Sequence, residues 1–471
     1  MVSSIPPTLL NHDPIPPDTL ASSSPRWPGT ISESRVSYSS GRQRELTREP
    51  VMTVPIRTHS PYPMLTVAEA THEILSRLEP LAPVTLDFRD AAGYVLAEDV
   101  TSDCDLPPAR RSGVDGYAVV ARPGPLRLQV LQELTAGQAA DVQVGPDTAV
   151  RIMTGGLLPP GADAVVMFED TREQDGYVEI RAAPRIGDHV QAPGLDAKRD
   201  QVVLRAGLRL GSPEIGMLAA VGHTRVQVHP RPRVAVLATG DEVVEPDAEP
   251  PVGCVRDSNR YAQITAVHEA GGQVVWSGHC PDDPVELRRV VREAIECADL
   301  LITSGGVSMG TRDLLKPLLA ELGEIHFGRV SFKPGKPLTF ATIGTTTVFG
   351  LPGFPVSSLV TFEVFVRPAL RRLQGFRRLH RPRVTVELEH PIHPSRNRLE
   401  YQRAVVRSQY GRLAAMATGR QSSSRLLNMV GANALLEIPS GDELLPAGSR
   451  VTALLTGEIL GAADLDDATG Q

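Results

Sequence analysis

Apolar positions near the middle of the chain alternate between two periods. Residues 300–302 (Leu-Leu-Ile) run directly into Thr303, Ser304 and two glycines, a pattern typical of a buried parallel strand that ends in a turn. Leucines then recur at helical spacing over 312–322. Strands and helices alternate in this way across 230–379, which predicts an open, mostly parallel α/β sheet with helices on both faces. Its other predicted helices cover 258–269, 284–298 and 356–373.

The chain on either side of this segment follows the shorter period of β-structure. Thr66 and Glu69 form a capping box that opens a helix, and further short helices are predicted at 91–97 and 213–220. Short alternating stretches between Gly and Pro turns predict strands. The fold class is therefore multidomain α/β and β. Its predicted parts are a composite N-terminal domain (61–100 with 190–229), an inserted β domain (101–189), the α/β domain (230–379) and a C-terminal β domain (380–459).

Composition narrows the class of protein. The first 60 of the 471 residues are rich in Pro, Ser, Thr and Arg and are predicted to be disordered, as is a tail at 460–471. The net charge of −7 argues against a general nucleic-acid binder, so we interpret the arginines of 371–383 as a solvated linker. No apolar run is long enough to span a membrane. The four cysteines lie far apart, which predicts neither zinc nor disulfides and suits a cytoplasmic location.

Three polar clusters follow predicted strands of the α/β domain: 239–242, 281–283, and 304–310 with Asp313. Ligands of open α/β sheets bind beyond the carboxyl ends of the strands, where backbone N–H groups and helix dipoles attract anions. Carboxylates beside a phosphate cradle suggest Mg²⁺. Each piece also has a simpler interpretation: a tight turn without ligand, a helix cap at Asp283, a solvated loop at Glu242.

Two further loops also have features that favour anion binding. The sequence Lys-Pro-Gly-Lys at 333–336 predicts a type II turn with an ammonium at each end, which favours an anion between them, although an exposed basic corner is the alternative. Residues 350–355 lead a second Gly-rich loop into a helix. The polar clusters and these loops together contain groups that can bind anions and carboxylates that can bind metals, but no nucleophile–base triad. Together they predict a polyanionic substrate and a metal-assisted phosphoryl or oxyanion reaction.

Seven motifs in order carry a family resemblance. The chain resembles the molybdopterin molybdenumtransferase family, to which the C-terminal domain of gephyrin belongs, from Thr66 to about Leu455. The motifs are SGVDGYAV at 112–119, RIMTGGLLPPGADAVV at 151–166, ATGDE at 238–242, DSN at 257–259, SGGVSMG at 304–310, KPGKP at 333–337 and GLPGFPVS at 350–357.

The resemblance implies four domains per chain and a homodimer. Its cleft would lie between the α/β and C-terminal β domains of one subunit and the inserted β domain of the other. The implied substrates are adenylylated molybdopterin and molybdate. The implied reaction hydrolyses the adenylyl anhydride, releases AMP and places molybdenum on the dithiolene with the help of Mg²⁺. A molybdopterin adenylyltransferase would be the upstream partner.

The resemblance also implies roles for individual residues. Asp196 matches a family acid loosely, because Leu195 and Ala197 depart from the motif, and Ser422 replaces a glycine before Ser423. The implied catalytic residues are Asp115 and Thr154 (both from the second subunit), Glu242, Asp283 and Asp313. The implied metal ligands are Asp241, Glu242, Asp313 and Asp196. The implied substrate-binding residues are Ser304, Gly305, Gly306, Ser308, Gly310, Lys333, Lys336, Pro352, Pro355, Arg403 and Ser423.

Two rival functions remain at this point. The first is the sister molybdopterin adenylyltransferase, which resembles the α/β domain alone and lacks the two β domains. The second is a gephyrin-like scaffold without catalysis, which needs an exposed apolar groove and linked assembly domains.

Overall fold

A computed structural model describes residues 62–135, 137–138, 141–306 and 314–461. The predicted leader, most of the predicted tail, and the loop 307–313 with Ser308, Gly310 and Asp313 lie outside these residues. Among the described helices, none has the length and apolar character that crossing a membrane requires.

The described chain begins with helix α1 (Val67–Ser76), and the predicted capping box is confirmed. Thr66 N donates to Glu69 Oε2 at 2.7 Å, and Glu69 N donates to Thr66 Oγ1 at 3.2 Å. The helix predicted at 91–97 is wrong, because Gly93 adopts a φ of +85° and the chain then extends into a buried strand. Three strands follow α1: β1 (Val84–Asp87), β2 (Val95–Leu96) and β3 (Val100–Thr101).

The next segment is a β unit. Its six-stranded sheet has the order β8-β5-β7-β6-β10-β9, while β4 pairs with β11 beside it. Alternation along these strands buries small and branched apolar side chains in two clusters. The strands are β4 (Arg111–Ser112), β5 (Gly116–Val119), β6 (Leu126–Leu134), β7 (Thr148–Ile152), β8 (Ala164–Met167), β9 (Thr171–Gln174), β10 (Tyr177–Ile180) and β11 (Val190–Gln191).

After the β unit, the chain returns to the first strands through β12 (Val202–Leu204), α2 (Ser212–Ala220) and β13 (Arg225–His229). Strand β13 lies between β1 and β2, and β12 pairs with β3. Helix α1 does not join this layer, because its Ala70 and Ile74 pack into the core of the α/β sheet. The pairings favour the composite domain, whose boundaries stay a prediction.

The predicted α/β sheet is confirmed, with strand order β17-β14-β18-β22-β21-β19. Strands β17, β14, β18 and β22 are parallel, and β21 and β19 continue the sheet antiparallel. Along β14 (Arg233–Thr239), Val234 and Val236 face one core while Ala235 and Leu237 face the other, so both faces are covered. The remaining elements are β15 (Val243–Val244), β16 (Val255–Arg256), α3 (Asn259–Glu269), β17 (Gln273–Cys280), α4 (Pro284–Cys297), β18 (Leu300–Ser304), α5 (Leu315–Leu322), β19 (Glu324–Phe327), β20 (Phe332–Lys333), β21 (Thr339–Ile343), β22 (Thr346–Leu351), α6 (Pro355–Thr361) and α7 (Arg367–Leu373). A π-helical turn at Phe362–Val366 joins the last two helices of this segment, α6 and α7.

The C-terminal strands form a second β unit. The order of its sheet is β20-β24-β25-β23-β27-β26, and β24 also pairs with β26, which curls the sheet towards a barrel. Strand β20 comes from the α/β segment and pairs in parallel with β24. The strands are β23 (Arg383–Leu388), β24 (Leu399–Gln409), β25 (Arg412–Ala417), β26 (Ala434–Ile438) and β27 (Arg450–Leu455).

Candidate active site at the sheet edge

The strand order creates a crevice between the carboxyl ends of β14 and β18. After β14 the chain adds β17 on one side, and then crosses to place β18 on the other. Such a reversal leaves a gap between the outgoing loops, which is where open α/β sheets bind their ligands. The loops that start at Thr239 and Ser304 flank this crevice, as the sequence predicts.

Glycine at position 305 is required by the closeness of these two loops. Thr239 Oγ1 donates to Ser304 O at 3.3 Å. Gly305 has a φ of +95°, and a Cβ there would lie 2.7 Å from Thr239 O. Gly306 follows with a φ of +64°. A side chain at Gly305 would push the loops apart. The Gly305 N–H donates to Leu351 O at 3.2 Å, so it extends the pairing with β22 and does not face a ligand.

Carboxylates stand on the neighbouring strand ends. Asp282 N donates to Asp241 Oδ1 at 2.9 Å, which ties the loop after β14 to the loop after β17. His279 Nε2 lies 2.8 Å from Gly240 O and holds the same loop from the side. Asp241 and Glu242 are both exposed at the sheet edge.

Asp283 caps helix α4. Its Oδ1 accepts hydrogen bonds from Val285 N at 3.0 Å and Glu286 N at 2.7 Å. The helix-cap interpretation is therefore confirmed, while the catalytic role of Asp283 stays a prediction.

The described residues do not assemble a metal site by themselves. No group of three or more His, Cys, Asp or Glu side chains among them is arranged to hold an ion. Asp196 lies in a different segment, where its N–H donates to Leu106 O at 2.8 Å. Asp313 lies outside the described residues. Asp241 and Glu242 are thus the predicted metal ligands that this part of the chain brings to the crevice.

The loop over 350–355 is held at both ends. Asn259 Nδ2 donates to Gly353 O at 2.7 Å, and Val356 N donates to Ser423 O at 3.1 Å. Pro352 is buried, and Pro355 is the first residue of α6, where its fixed φ suits a helix start. These contacts join the α/β sheet edge to the loop of the C-terminal β unit that carries Ser423.

Arg403 is a fully buried cation with unused donors. It is 0 % exposed, and its Nη2 donates to Ser422 O at 3.1 Å and Arg420 O at 3.3 Å. Its Nε and Nη1 are buried and find no partner among the described residues. Burial lowers the pKa of the Arg403 guanidinium, and the nearby Glu400 opposes this shift. A buried guanidinium with free donors is suited to an oxyanion, which accepts several hydrogen bonds at once. Ser422 keeps a negative φ, so replacing the family glycine does not strain the loop.

The type II turn predicted over Lys333–Lys336 is wrong. Lys333 ends strand β20, and Gly335 has a φ of +128°, away from the value of about +80° that a type II turn needs. Lys333 Nζ instead lies 3.0 Å from Glu400 Oε1, a carboxylate that is 3 % exposed. Lys336 is exposed. Glu400 escaped prediction because its partner comes from a strand 67 positions earlier, and no local pattern signals that pairing.

Asp115 and Thr154 form a second cluster in the inserted segment. Asp115 Oδ1 accepts from Thr154 N at 2.7 Å and from Thr154 Oγ1 at 2.8 Å. These bonds lower the pKa of the Asp115 carboxyl, the backbone N–H having the larger effect. Both residues are exposed. In the described part of the chain, no hydrogen bond connects either of them to Glu242.

Comparison with known proteins supports the family resemblance in the N-terminal, central and C-terminal parts of the chain. Family models match in three consecutive blocks: the MoeA N-terminal region (domain I and II) at 65–222, a probable molybdopterin binding domain at 235–372, and the MoeA C-terminal region (domain IV) at 385–456. The fold is that of the molybdopterin biosynthesis moeA protein of Pyrococcus horikoshii, whose crystal structure matches with a TM-score of 0.72 at 27 % identity. This match covers 83 % of the present chain and all of that one.

Sequence relatives define the family. Molybdopterin molybdenumtransferase of a Nostoc species is 34 % identical over 87 % of this chain and 98 % of its own, and that of Haemophilus influenzae is 32 % identical over 84 % and 100 %. Gephyrin of Dictyostelium discoideum is 34 % identical, but the chain spans only 63 % of its length. The chain therefore belongs to the molybdopterin molybdenumtransferase family.

Proposed function

We propose that this protein inserts molybdenum from molybdate into adenylylated molybdopterin and releases AMP. The observation that carries the proposal is Arg403, a buried guanidinium with two unused donors, next to the loop of Ser422 and Ser423. Molybdate is a compact tetrahedral oxyanion, and such a cradle suits it. The names of relatives that align with 87 % and 84 % of this chain support the same activity.

The remaining residues divide between two tasks. The turn at Gly305 and Gly306 keeps side chains out of the crevice, and the Gly306 N–H would serve the phosphates of the substrate, since the Gly305 N–H donates to Leu351 O. Lys336 and the Arg403 guanidinium supply positive charge for molybdate and phosphate, while Glu400 holds Lys333 in position. In the reaction, the oxygen of a water molecule adds to the adenylyl phosphorus. The P–O bond to the molybdopterin phosphate breaks, and AMP leaves.

Mg²⁺ is part of the proposal through the family resemblance. Asp241 and Glu242 are the described oxygen donors that would contribute to its site, and at least one further ligand is needed from elsewhere. When bound, the ion would offset the negative charge of the phosphates.

A homodimer with a shared cleft, an adenylyltransferase as the upstream partner, and a cytoplasmic location complete the proposal. The exposed Asp115–Thr154 pair supports the dimer. Among the described residues, no hydrogen bond joins this polar pair to the α/β crevice of its own chain, which leaves it available to the crevice of a second subunit. Free cysteines throughout support a reducing compartment. The adenylyltransferase alternative is not favoured, because the N-terminal and C-terminal MoeA regions are both present. The scaffold alternative is not favoured, because the relatives that this chain covers almost completely are named molybdopterin molybdenumtransferase.

The proposal is tested by comparing Arg403→Met with a matched control, Arg407→Met. Arg407 lies on the same strand but is paired with Glu389 at 2.6 Å. Loss of hydrogen bonds to a charged group is worth about 1.5–3 kcal/mol, which corresponds to roughly 12- to 160-fold in affinity. Molybdate binding, measured by equilibrium dialysis, should fall by this factor in Arg403→Met and stay within about twofold in Arg407→Met.

Release of AMP from adenylylated molybdopterin should follow molybdate binding in the same two variants. Circular dichroism checks that both are folded, and Arg403→Lys keeps the charge should the methionine disturb the strand. Wild-type-like molybdate binding and AMP release in folded Arg403→Met would contradict the proposed function.

A further inference from the structure

Phe354 is an exposed aromatic side chain in the middle of the substrate loop. It is 60 % exposed, although aromatic residues make up only 4 % of the chain and most phenylalanines of the α/β core are buried. It is the residue that precedes α6, between Gly353 and Pro355. A single exposed apolar side chain is common on protein surfaces, so a role for this ring depends on its position beside the crevice and on the groups around it.

The backbone on both sides of Phe354 is fixed. Asn259 holds Gly353 O, Ser423 O holds Val356 N, and Ser358 N donates to Phe354 O at 2.9 Å. A Cβ on Gly353 would lie 3.8 Å from Gly305 Cα, so the loop lies against the glycine turn of the crevice. The ring is therefore carried by a rigid support beside the phosphate loop, and only its two side-chain torsions are free. Little conformational entropy remains to be lost when a ligand covers it.

Asn259 offers a polar group next to this ring. Gly353 O can only accept a hydrogen bond, so the Asn259 amide must turn its Nδ2 towards Gly353 and keep Oδ1 as an acceptor. Oδ1 is buried and has no partner among the described residues. The exposed ring follows Gly353 directly in the chain, and the amide with the unused acceptor is bonded to the Gly353 carbonyl. This pair of groups matches a planar ring that bears N–H groups. Aliphatic chains and simple oxyanions lack this combination.

We propose that Phe354 is a specificity residue that stacks on a planar fused heteroaromatic ring of the substrate. The inference rests on the proposed function, in which the substrate carries two such rings, adenine and pterin. Both have a π face and N–H donors, so they share the chemistry that the loop recognises. Stacking here would orient the ring while the glycine turn of 305 and 306 holds the adjoining phosphate.

The test uses the full-length protein and three probes: AMP, ribose 5-phosphate, which lacks the base, and free pterin. Two variants separate aromatic from apolar character. Phe354→Leu stays apolar without a π face, and Phe354→Trp enlarges the face. Base–aromatic stacking is worth about 5- to 150-fold in affinity. By calorimetry, Phe354→Leu should weaken at least one of AMP and pterin by about fivefold or more, while Phe354→Trp retains that ligand and its fluorescence is quenched on binding.

The probes distinguish which ring is stacked. Weaker AMP with unchanged pterin identifies adenine, the reverse identifies pterin, and ribose 5-phosphate should bind all three proteins equally. Phe354→Leu that binds AMP and pterin like wild type overturns the inference and leaves the proposed function standing. A change only in dimerisation, seen by sedimentation, also overturns it and assigns the ring to a subunit contact. Wild-type protein that binds neither AMP nor pterin overturns the proposed function and the stacking role with it.

Discussion

Replacing Gly305 by alanine perturbs the crevice at its narrowest point. An L-residue in the left-handed region costs about 1–2 kcal/mol. The new Cβ would also meet Thr239 O at 2.7 Å and Thr239 Oγ1 at 2.8 Å, closer than carbon and oxygen normally approach. Forcing an extra methyl group into a packed site costs about 1–3 kcal/mol more. Gly305→Ala should therefore lose about 2–5 kcal/mol of stability.

Gly344→Ala provides the matched control. Gly344 also has a positive φ, +56°, but a Cβ there meets nothing within 4 Å. Its alanine should show only the backbone cost, about 1–2 kcal/mol. The difference between the two variants isolates the contact with Thr239.

Differential scanning calorimetry measures the two shifts. At about 2–4 °C per kcal/mol, Gly305→Ala should lower the Tm by roughly 4–20 °C, and Gly344→Ala by roughly 2–8 °C. AMP release should fall in Gly305→Ala alone, because only this substitution displaces the phosphate loop. Equal Tm shifts in the two variants would refute the argument that close approach, rather than φ alone, requires glycine at this position.

Three other outcomes are expected. Asp115→Ala and Glu242→Ala homodimers should each be nearly inactive, while mixed dimers regain roughly half of wild-type AMP release, because one cleft carries both lesions and the other carries neither; mixed dimers as inactive as the parents would rule out a shared cleft. Thr154→Val should raise the pKa of Asp115 in NMR titration by removing the Oγ1 bond. Because a lowered folded pKa stabilises the protein above the unfolded pKa of about 4, any loss of stability in the variant should be present above about pH 4 and disappear at lower pH; an unmoved pKa would show that the backbone N–H acts alone. Lys336→Ala should weaken substrate binding by about 12- to 160-fold and leave the Tm unchanged, since Lys336 is exposed; unchanged affinity would remove Lys336 from the site.

The sequence predicted correctly those helix starts and strands that are specified by residues close to one another in the chain. The capping box of Thr66, the cap of Asp283 and the buried strand 300–304 are each specified by neighbouring residues, and all three are confirmed. The helix predicted at 91–97 was wrong because pairing with β13, more than 130 positions later, and the left-handed Gly93 outweigh helical spacing.

Partners at long range explain what the sequence missed in the site. The placement of polar loops at strand ends follows from the topology of an α/β sheet, so the loops of Thr239 and Ser304 could be predicted. The ion pair of Lys333 with Glu400 could not, because it depends on a two-residue strand that joins another sheet. The unused donors of Arg403 and the unused acceptor of Asn259 also depend on which backbone carbonyls lie opposite them in three dimensions.

Strand β20 has a consequence for modularity. Although it is only two residues long, it leaves the α/β segment, pairs with β24, and places Phe332 against Phe365 and Tyr401 with ring centroids 5.4 and 6.2 Å apart. A chain cut near residue 380 would strip the cover from these rings and leave Lys333 without Glu400. The C-terminal β unit is therefore not an independent module. Because β22 in turn pairs with β18, a transplant from this chain should carry the α/β segment and the C-terminal β unit, 233–455, as one piece.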